Sequence, residues 1–184
     1  LEDTLALVAD DLPTATALLD ARPIGGDAEL ARELSEGLLA RLSRPGDPNA
    51  FVERLAAEKH ARHARFGDSV YLLEPNLKHG QGGLRDLTAA FWAARVRWRA
   101  ATLSDPLARG HSTVRQLAAL GDAREFLLRV RSLVHLAARR RQDQLLFEVQ
   151  EAIAPGLYPD APVRSEGGVR AAVAPAVEEL MRTY

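Results

Sequence analysis

The sequence predicts an all-α protein, a helical bundle of about six to eight helices. Apolar residues recur at the spacing of one helix face along most of the chain. Alternation of apolar and polar residues, the mark of a half-buried strand, is rare, and the helix formers Ala, Leu, Arg and Glu dominate. We therefore expect no sheet beyond an isolated bridge.

Composition narrows the class of protein. The 24 basic and 25 acidic residues give a net charge of −1, so no overall charge draws the chain to nucleic acid or to a membrane surface. No apolar run approaches the roughly 20 residues that span a bilayer. The absence of cysteine excludes disulfides and thiolate metal sites. We expect a cytoplasmic protein with no nucleic-acid or membrane partner, in which any anion site is local.

The first third of the chain predicts short helices followed by two longer ones. Two short amphipathic helices precede a stop formed by the Pro and Gly residues of 23–26. Asp27 is a suitable N-cap for a helix over 28–42. The Asp-Pro pair at 47–48 restarts a helix whose basic end includes His60 and His63. No carboxylate or cysteine nearby completes a metal site, so we interpret these histidines as a solvated basic face.

The stretch 74–98 carries the clearest change of backbone state. Pro75 keeps the residue before it out of the helical region. Three glycines within four residues then mark a loop, because glycine tolerates positive φ and close backbone approach. The pattern becomes helical again from Leu84. The predicted order is a turn, a glycine loop and a helix N-terminus, in which Gly80, Gly82 and Gly83 form the loop.

Two cations, Lys78 and Arg85, flank this loop. A helix start exposes unpaired N–H groups and the positive end of the helix dipole, which together suit a phosphate. Asp86 lies in the first helical turn, where a carboxylate can cap free N–H groups. We expect Leu84 and Leu87, with Phe91, to be buried below. The alternative is that the loop is only a turn.

The second half of the chain predicts four further elements. A short helix from Thr113 is broken at Gly121, and a longer one follows. Asp143 starts the next helix. Pro175, which would cost about 3 kcal/mol inside a helix, is placed in the first turn of the last one.

A row of basic residues lies along the longer helix, with Arg131, His135 and Arg139 spaced four apart. His135 would need a partner and a substrate proton within reach to act as a general base. As a structural residue it would make one hydrogen bond from a partly buried face, which is the interpretation that we favour. The arginines are interpreted as a solvated face, unless they point at the glycine loop.

Several stretches resemble one known family. The letters EPNLKHGQGGLRDL at 74–87 resemble the signature of bacterial protein-PII uridylyltransferases, where Pro is usual in place of Gln81. Glutamine synthetase adenylyltransferases carry a similar run. The block RSLVH at 131–135 followed by DQLLFEVQ at 143–150 resembles a second uridylyltransferase motif. The LLDAR run at 18–22 and the VEELMRTY run at 177–184 are similar to the family as well.

The resemblance implies a place within a larger nucleotidyltransferase, which we call the parent. The parent would transfer UMP from UTP to a tyrosine of the PII nitrogen-signalling protein, with Mg²⁺ as cofactor. Residues 1–26 would be the C-terminal end of its nucleotidyltransferase core, and residues 27–184 the helical domain beside the active site. Lys78, Gly82, Gly83 and Arg85 would bind the nucleotide. No residue of this chain would be catalytic or bind a metal.

The resemblance implies a Gly-Ser motif followed by an Asp-x-Asp pair whose carboxylates hold Mg²⁺, and neither motif occurs in this sequence. We therefore expect a truncated piece of the parent that is inactive alone. Other interpretations stay open. The parent could be a glutamine synthetase adenylyltransferase, or another nucleotidyltransferase using a different nucleoside triphosphate. From a different class, the chain could be a non-catalytic protein-interaction module.

Overall fold

A computed structural model describes residues 1–43, 47, 49–100, 102, 105, 110–163 and 168–184. Within these residues eight helices form and no strand does, which confirms the predicted fold class. An isolated antiparallel bridge joins Asn76 to Gln144. The helices are α1 (Glu2–Leu7), α2 (Leu12–Leu19), α3 (Ala28–Leu42), α4 (Ala50–Phe66), α5 (Leu84–Trp98), α6 (Val114–Ala138), α7 (Phe147–Leu157) and α8 (Gly168–Thr183).

The chain forms two compact units. The first comprises residues 1–61 and 88–117, and the second residues 62–87 and 118–184. Helices α4, α5 and α6 each contribute residues to both units. The boundary predicted between residues 26 and 27 divides the nucleotidyltransferase core of the parent from its helical domain. That boundary stays a prediction.

The first unit packs around apolar side chains of α1 to α5. Asp27 caps α3 as predicted, since its Oδ1 accepts a hydrogen bond from the Glu29 N–H at 2.8 Å. The Trp92 indole N–H donates to Asp20 at 2.8 Å, which satisfies the polar end of a buried ring. Buried core members include Val8, Leu19, Leu38, Phe51 and Trp92.

The second unit packs around α6, α7 and α8. Leu77 of the predicted loop is fully buried in this core, which fixes the loop to the helices. Leu84 and Leu87 pack against the same core but stay half-buried, and Phe91 is half-buried too. Their predicted burial is therefore only partial. The buried core members are Leu77, Leu127, Val130, Val134, Leu145, Ile153, Ala154, Ala176 and Leu180.

Three predicted helix ends are wrong. Helix α6 continues through Gly121, and α8 continues through Pro175. A glycine costs only about 1 kcal/mol inside a helix, and a proline about 3 kcal/mol. Apolar side chains beyond each residue are buried, so packing keeps both helices intact. The segment after Asp143 does not start a helix, because it pairs with the loop, and α7 begins at Phe147.

Two further points concern α4 and hydropathy. Pro48, part of the predicted helix restart, lies outside the described residues, and α4 begins at Ala50. None of the helices in the described part of the chain combines the length and the hydropathy of a bilayer-spanning segment.

Candidate functional site

The predicted nucleotide-binding residues lie at the junction of a loop and α5. We call residues 74–83 the glycine loop. Gly82 has a φ of +76°, and α5 begins directly after Gly83, which confirms the predicted turn into a helix at Leu84. The loop is started by Asn76, whose side-chain oxygen accepts from the N–H groups of Lys78 at 3.2 Å and His79 at 2.8 Å.

Backbone hydrogen bonds across the glycine loop place Lys78 beside Arg85. The Arg85 N–H donates to the Lys78 carbonyl at 2.9 Å, and the Leu84 N–H donates to the Leu77 carbonyl at 3.0 Å. Both cationic side chains are half-buried. The loop therefore folds back on itself and brings two positive residues together from either side of the glycines.

The N–H groups at the start of α5 already have acceptors inside the loop. Gly83 donates to the Gly80 carbonyl at 3.1 Å, and Asp86 donates to the Gly83 carbonyl at 2.9 Å. The Gly82 N–H donates to the Asp86 carboxylate at 2.9 Å. Asp86 thus caps a free N–H as predicted, and an anion at this place would be held by side chains rather than by backbone donors.

Close backbone approach explains two of the glycines. A Cβ atom on Gly83 would lie 3.0 Å from the carbonyl oxygens of both Gly80 and Leu77. A Cβ atom on Gly80 would lie 2.8 Å from the Asn76 carbonyl oxygen. Gly82 faces open space instead, and its positive φ is what requires glycine there.

The other side of the loop pairs with the segment that leads into α7. Leu77 donates its N–H to the Asp143 carbonyl at 2.8 Å, and Leu145 donates to the Pro75 carbonyl at 2.9 Å. The Glu74 carboxylate accepts from the Phe147 N–H at 2.8 Å. The two motifs that carried the family resemblance, at 74–87 and 143–150, are therefore structural partners.

Asp86 is held by Arg62 and His63 from the end of α4, and we call these three residues the Asp86 cluster. Arg62 donates from Nη2 to Asp86 Oδ1 at 2.9 Å, and His63 Nε2 lies 3.0 Å from both carboxylate oxygens. The side chains of Arg62 and His63 are only 5% and 6% exposed. The interpretation of His63 as part of a solvated face is wrong, whereas His60 is exposed.

The charge state of Asp86 follows from these contacts. Burial acts to raise its pKa, but hydrogen bonds from Arg62, the Gly82 N–H and His63 outweigh burial, so the pKa lies below the usual value. Asp86 is therefore ionised at neutral pH. This half-buried carboxylate accepts from the Arg62 guanidinium and from the Gly82 N–H, and so it ties the loop to the end of α4.

A second set, the Asp143 cluster, consists of Asp143 with Arg131 and His135. Arg131 Nε donates to Asp143 Oδ1 at 2.7 Å, and His135 Nε2 lies 3.4 Å from the same oxygen. Burial acts to raise the pKa of Asp143, but Arg131 and His135 outweigh it and the pKa is lowered. This pairing supports the structural interpretation of His135. Arg131 is paired with Asp143, so its interpretation as part of a solvated face is wrong. Arg139, the last residue of the row, is exposed.

His79 fills the space between the glycine loop and α4. Its ring stacks on Phe66 with ring centres 4.8 Å apart, and its buried Nδ1 has no hydrogen-bond partner within the described part of the chain. Burial lowers the pKa of His79, and the neighbouring charge of Lys78 lowers it further. The ring is neutral at neutral pH and acts as an apolar filler.

The described residues do not form a site for the Mg²⁺ that the resemblance implies. Within the described ranges no group of three or more His, Asp or Glu side chains converges. Asp86 and Asp143 are each paired with an arginine and lie beside a histidine, so neither offers the uncompensated oxygens that Mg²⁺ requires.

Comparison with known proteins gives one consistent result. The family model for GlnD PII-uridylyltransferase matches residues 50–184. The chain is 37% identical over 154 residues to a Rhodospirillum rubrum protein, covering 84% of the chain and 16% of that protein. It is 35% identical over 184 residues to a Phenylobacterium zucineum protein, covering 100% of the chain and 19% of that protein.

An Erythrobacter litoralis protein is similar at 37% identity over 153 residues, covering 83% of the chain and 16% of that protein. All three relatives are named bifunctional uridylyltransferase/uridylyl-removing enzyme. The chain thus spans less than a fifth of the length of the curated relatives it matches. No solved structure matches it.

Proposed function

The chain belongs to the PII-uridylyltransferase family, and on that basis we propose that it is the helical domain beside the active site of such an enzyme. The parent transfers UMP from UTP to a tyrosine of the PII signalling protein. This chain supplies part of the nucleotide site through Lys78 and Arg85, while Gly82 and Gly83 give the loop its shape. Any Mg²⁺ is held by carboxylates outside this chain.

One observation carries the proposal for the site. The hydrogen bond from the Arg85 N–H to the Lys78 carbonyl, 2.9 Å long, holds two cationic residues side by side within the family motif. A triphosphate presents several anionic oxygens within a short span, and paired cations on a rigid backbone suit it. The half-burial of both side chains strengthens their attraction for an anion compared with that of exposed residues.

The test is UTP binding by the parent and by its Arg85→Ala and Lys78→Ala variants, measured by isothermal titration calorimetry. We expect each substitution to weaken binding by about 1.5–3 kcal/mol, the value of a hydrogen bond to a charged group. The melting temperature should change little. Arg54→Ala is the matched control, because Arg54 lies on α4 and donates to the Ala9 carbonyl at 2.7 Å in the first unit.

Equal affinity of the parent and both variants would contradict a nucleotide role for the loop. If the parent also bound PII without any nucleotide, the non-catalytic interaction module would be the correct interpretation. A preference for ATP over UTP as the transferred nucleotide would instead favour an adenylyltransferase.

A second test uses this chain alone. We expect the purified 184-residue chain to transfer no UMP to PII, because the residues described in it provide no Mg²⁺ site. Labelled UTP, PII and excess Mg²⁺ should leave PII unlabelled, whereas the parent labels it under the same conditions. Labelling of PII by the chain alone would overturn this part of the proposal.

A further inference from the structure

Arg62 makes contacts on both sides of the three glycines. Its guanidinium donates from Nη1 to the His79 carbonyl at 3.1 Å and from Nη2 to Asp86 at 2.9 Å. The first contact lies before the glycines and the second lies after them. One side chain therefore bridges the backbone before the three glycines and the side chain of Asp86 after them.

These two contacts are next to the two cationic residues. His79 directly follows Lys78, and Asp86 directly follows Arg85. The Arg85 N–H donates to the Lys78 carbonyl at 2.9 Å. This bond and the two guanidinium contacts together connect the residues before the glycines to those after them. Asp86 also accepts from the Gly82 N–H at 2.9 Å, which connects the middle of the loop as well.

We propose that Arg62 is a positioning residue for nucleotide binding, which fixes the spacing of Lys78 and Arg85 through the His79 carbonyl and Asp86. This inference rests on the proposed function, in which Lys78 and Arg85 bind the triphosphate. Arg62 is 5% exposed, so it acts through the loop and does not touch the nucleotide. A planar guanidinium has two separated donors in a fixed plane, and lysine cannot span the same acceptors as rigidly.

The test is a double-mutant cycle in the parent, with UTP binding measured for Arg62→Ala, Arg85→Ala and the double variant. If Arg62 positions Arg85, Arg62→Ala weakens binding roughly tenfold in the parent but less than about threefold when Arg85 is already alanine. A purely structural role would reduce affinity by the same factor in both backgrounds. Arg54→Ala should leave UTP affinity unchanged in both.

The outcomes separate this inference from the proposed function. Weaker binding by Arg85→Ala, combined with an unchanged or purely additive effect of Arg62→Ala, overturns the positioning role alone. Unchanged binding by Arg85→Ala overturns the positioning role, and unchanged binding by Lys78→Ala as well overturns the nucleotide site. Where Arg62→Ala does not fold, Arg62→Lys replaces it in the cycle. Its smaller loss of affinity must still depend on Arg85, and an affinity equal to that of the parent overturns the inference.

Discussion

The Asp86 and Asp143 clusters use the same chemistry on two sides of the glycine loop, but they differ in burial. In each, one aspartate accepts from an arginine and lies beside a histidine. Arg62 and His63 are 5% and 6% exposed, whereas Arg131 and His135 are 25% and 31% exposed. The two carboxylates are 19% and 11% exposed, so the larger difference in burial lies in the arginine and histidine side chains.

From this comparison we expect the loss of stability on removing a carboxylate to depend on how exposed its arginine and histidine partners are. Arg131 and His135 can be hydrated without Asp143, whereas Arg62 would stay buried after losing its carboxylate contact with Asp86. The clusters also contact the loop differently. Asp86 holds the Gly82 N–H with its side chain, whereas Asp143 accepts from the Leu77 N–H with its backbone carbonyl. A side-chain substitution at Asp143 therefore leaves that loop contact in place.

The largest expected effect is on stability. We expect Asp86→Ala to lower the free energy of unfolding by about 3 kcal/mol, since it removes the carboxylate that pairs with the buried Arg62 and accepts from the Gly82 N–H. Asp143→Ala should cost about 1–2 kcal/mol, because water can replace the lost partner. Urea unfolding of this chain and of both variants checks the order. A larger loss of stability for Asp143→Ala would show that the exposure of the arginine and histidine partners does not determine the loss.

A smaller difference is expected at the histidines. His63 Nε2 lies 3.0 Å from both oxygens of Asp86 in a buried site, while His135 is 3.4 Å from one oxygen of Asp143. We expect His63→Ala to cost about 2 kcal/mol, which combines lost packing with a lost hydrogen bond. His135→Ala should cost less than about 1 kcal/mol. Equal melting temperatures of the two variants would contradict the comparison.

Acid should weaken the second unit in two stages. The pKa of His79 is lowered below 6.5 in the folded state, so the unfolded chain binds the extra proton first and stability falls as pH drops below 6.5. The pKa values of Asp86 and Asp143 are lowered below 3.8, so their contribution is complete above 3.8 and is lost as pH falls through the folded values.

Urea unfolding midpoints of this chain, measured at about pH 7, 5 and 3, should fall at each step and so show both stages. Asp86→Asn and Asp143→Asn should each flatten the second stage, since each removes one of the two titrating carboxylates. A midpoint of the unsubstituted chain that stayed constant from about pH 7 to 3 would show that neither stage contributes to stability.

The features that the sequence predicted correctly depend on neighbouring residues. Asp27 caps α3 through Glu29, only two residues further on. The turn at Gly82 and the start of α5 follow from glycine's conformational freedom, which acts on the local backbone. The family motif pointed to the same loop, because its letters are contiguous at 74–87.

The features that it missed depend on contacts between distant residues. Arg62 and His63 looked like a solvated helix end, because no local pattern shows that Asp86, on another helix, would receive them. Gly121 and Pro175 looked like breaks, because local cost is visible in a sequence and the packing that offsets it is not. The available signal for the contact with Asp86 was the neighbouring pair Arg62 and His63 near the end of one predicted helix, together with that single carboxylate after the glycine loop.

We expect the Asp86 cluster to set the shape of the glycine loop, and the Asp143 cluster to contribute less to that shape. The most direct test is UTP affinity of the parent carrying Asp86→Asn or Asp143→Asn, below the melting temperature of both variants. We predict that Asp86→Asn weakens UTP binding roughly tenfold and Asp143→Asn less than about threefold. The reason is that Asp86 contacts the loop with its side chain, whereas Asp143 does so with its backbone carbonyl. Equal losses for the two variants, or a larger loss for Asp143→Asn, would contradict the account.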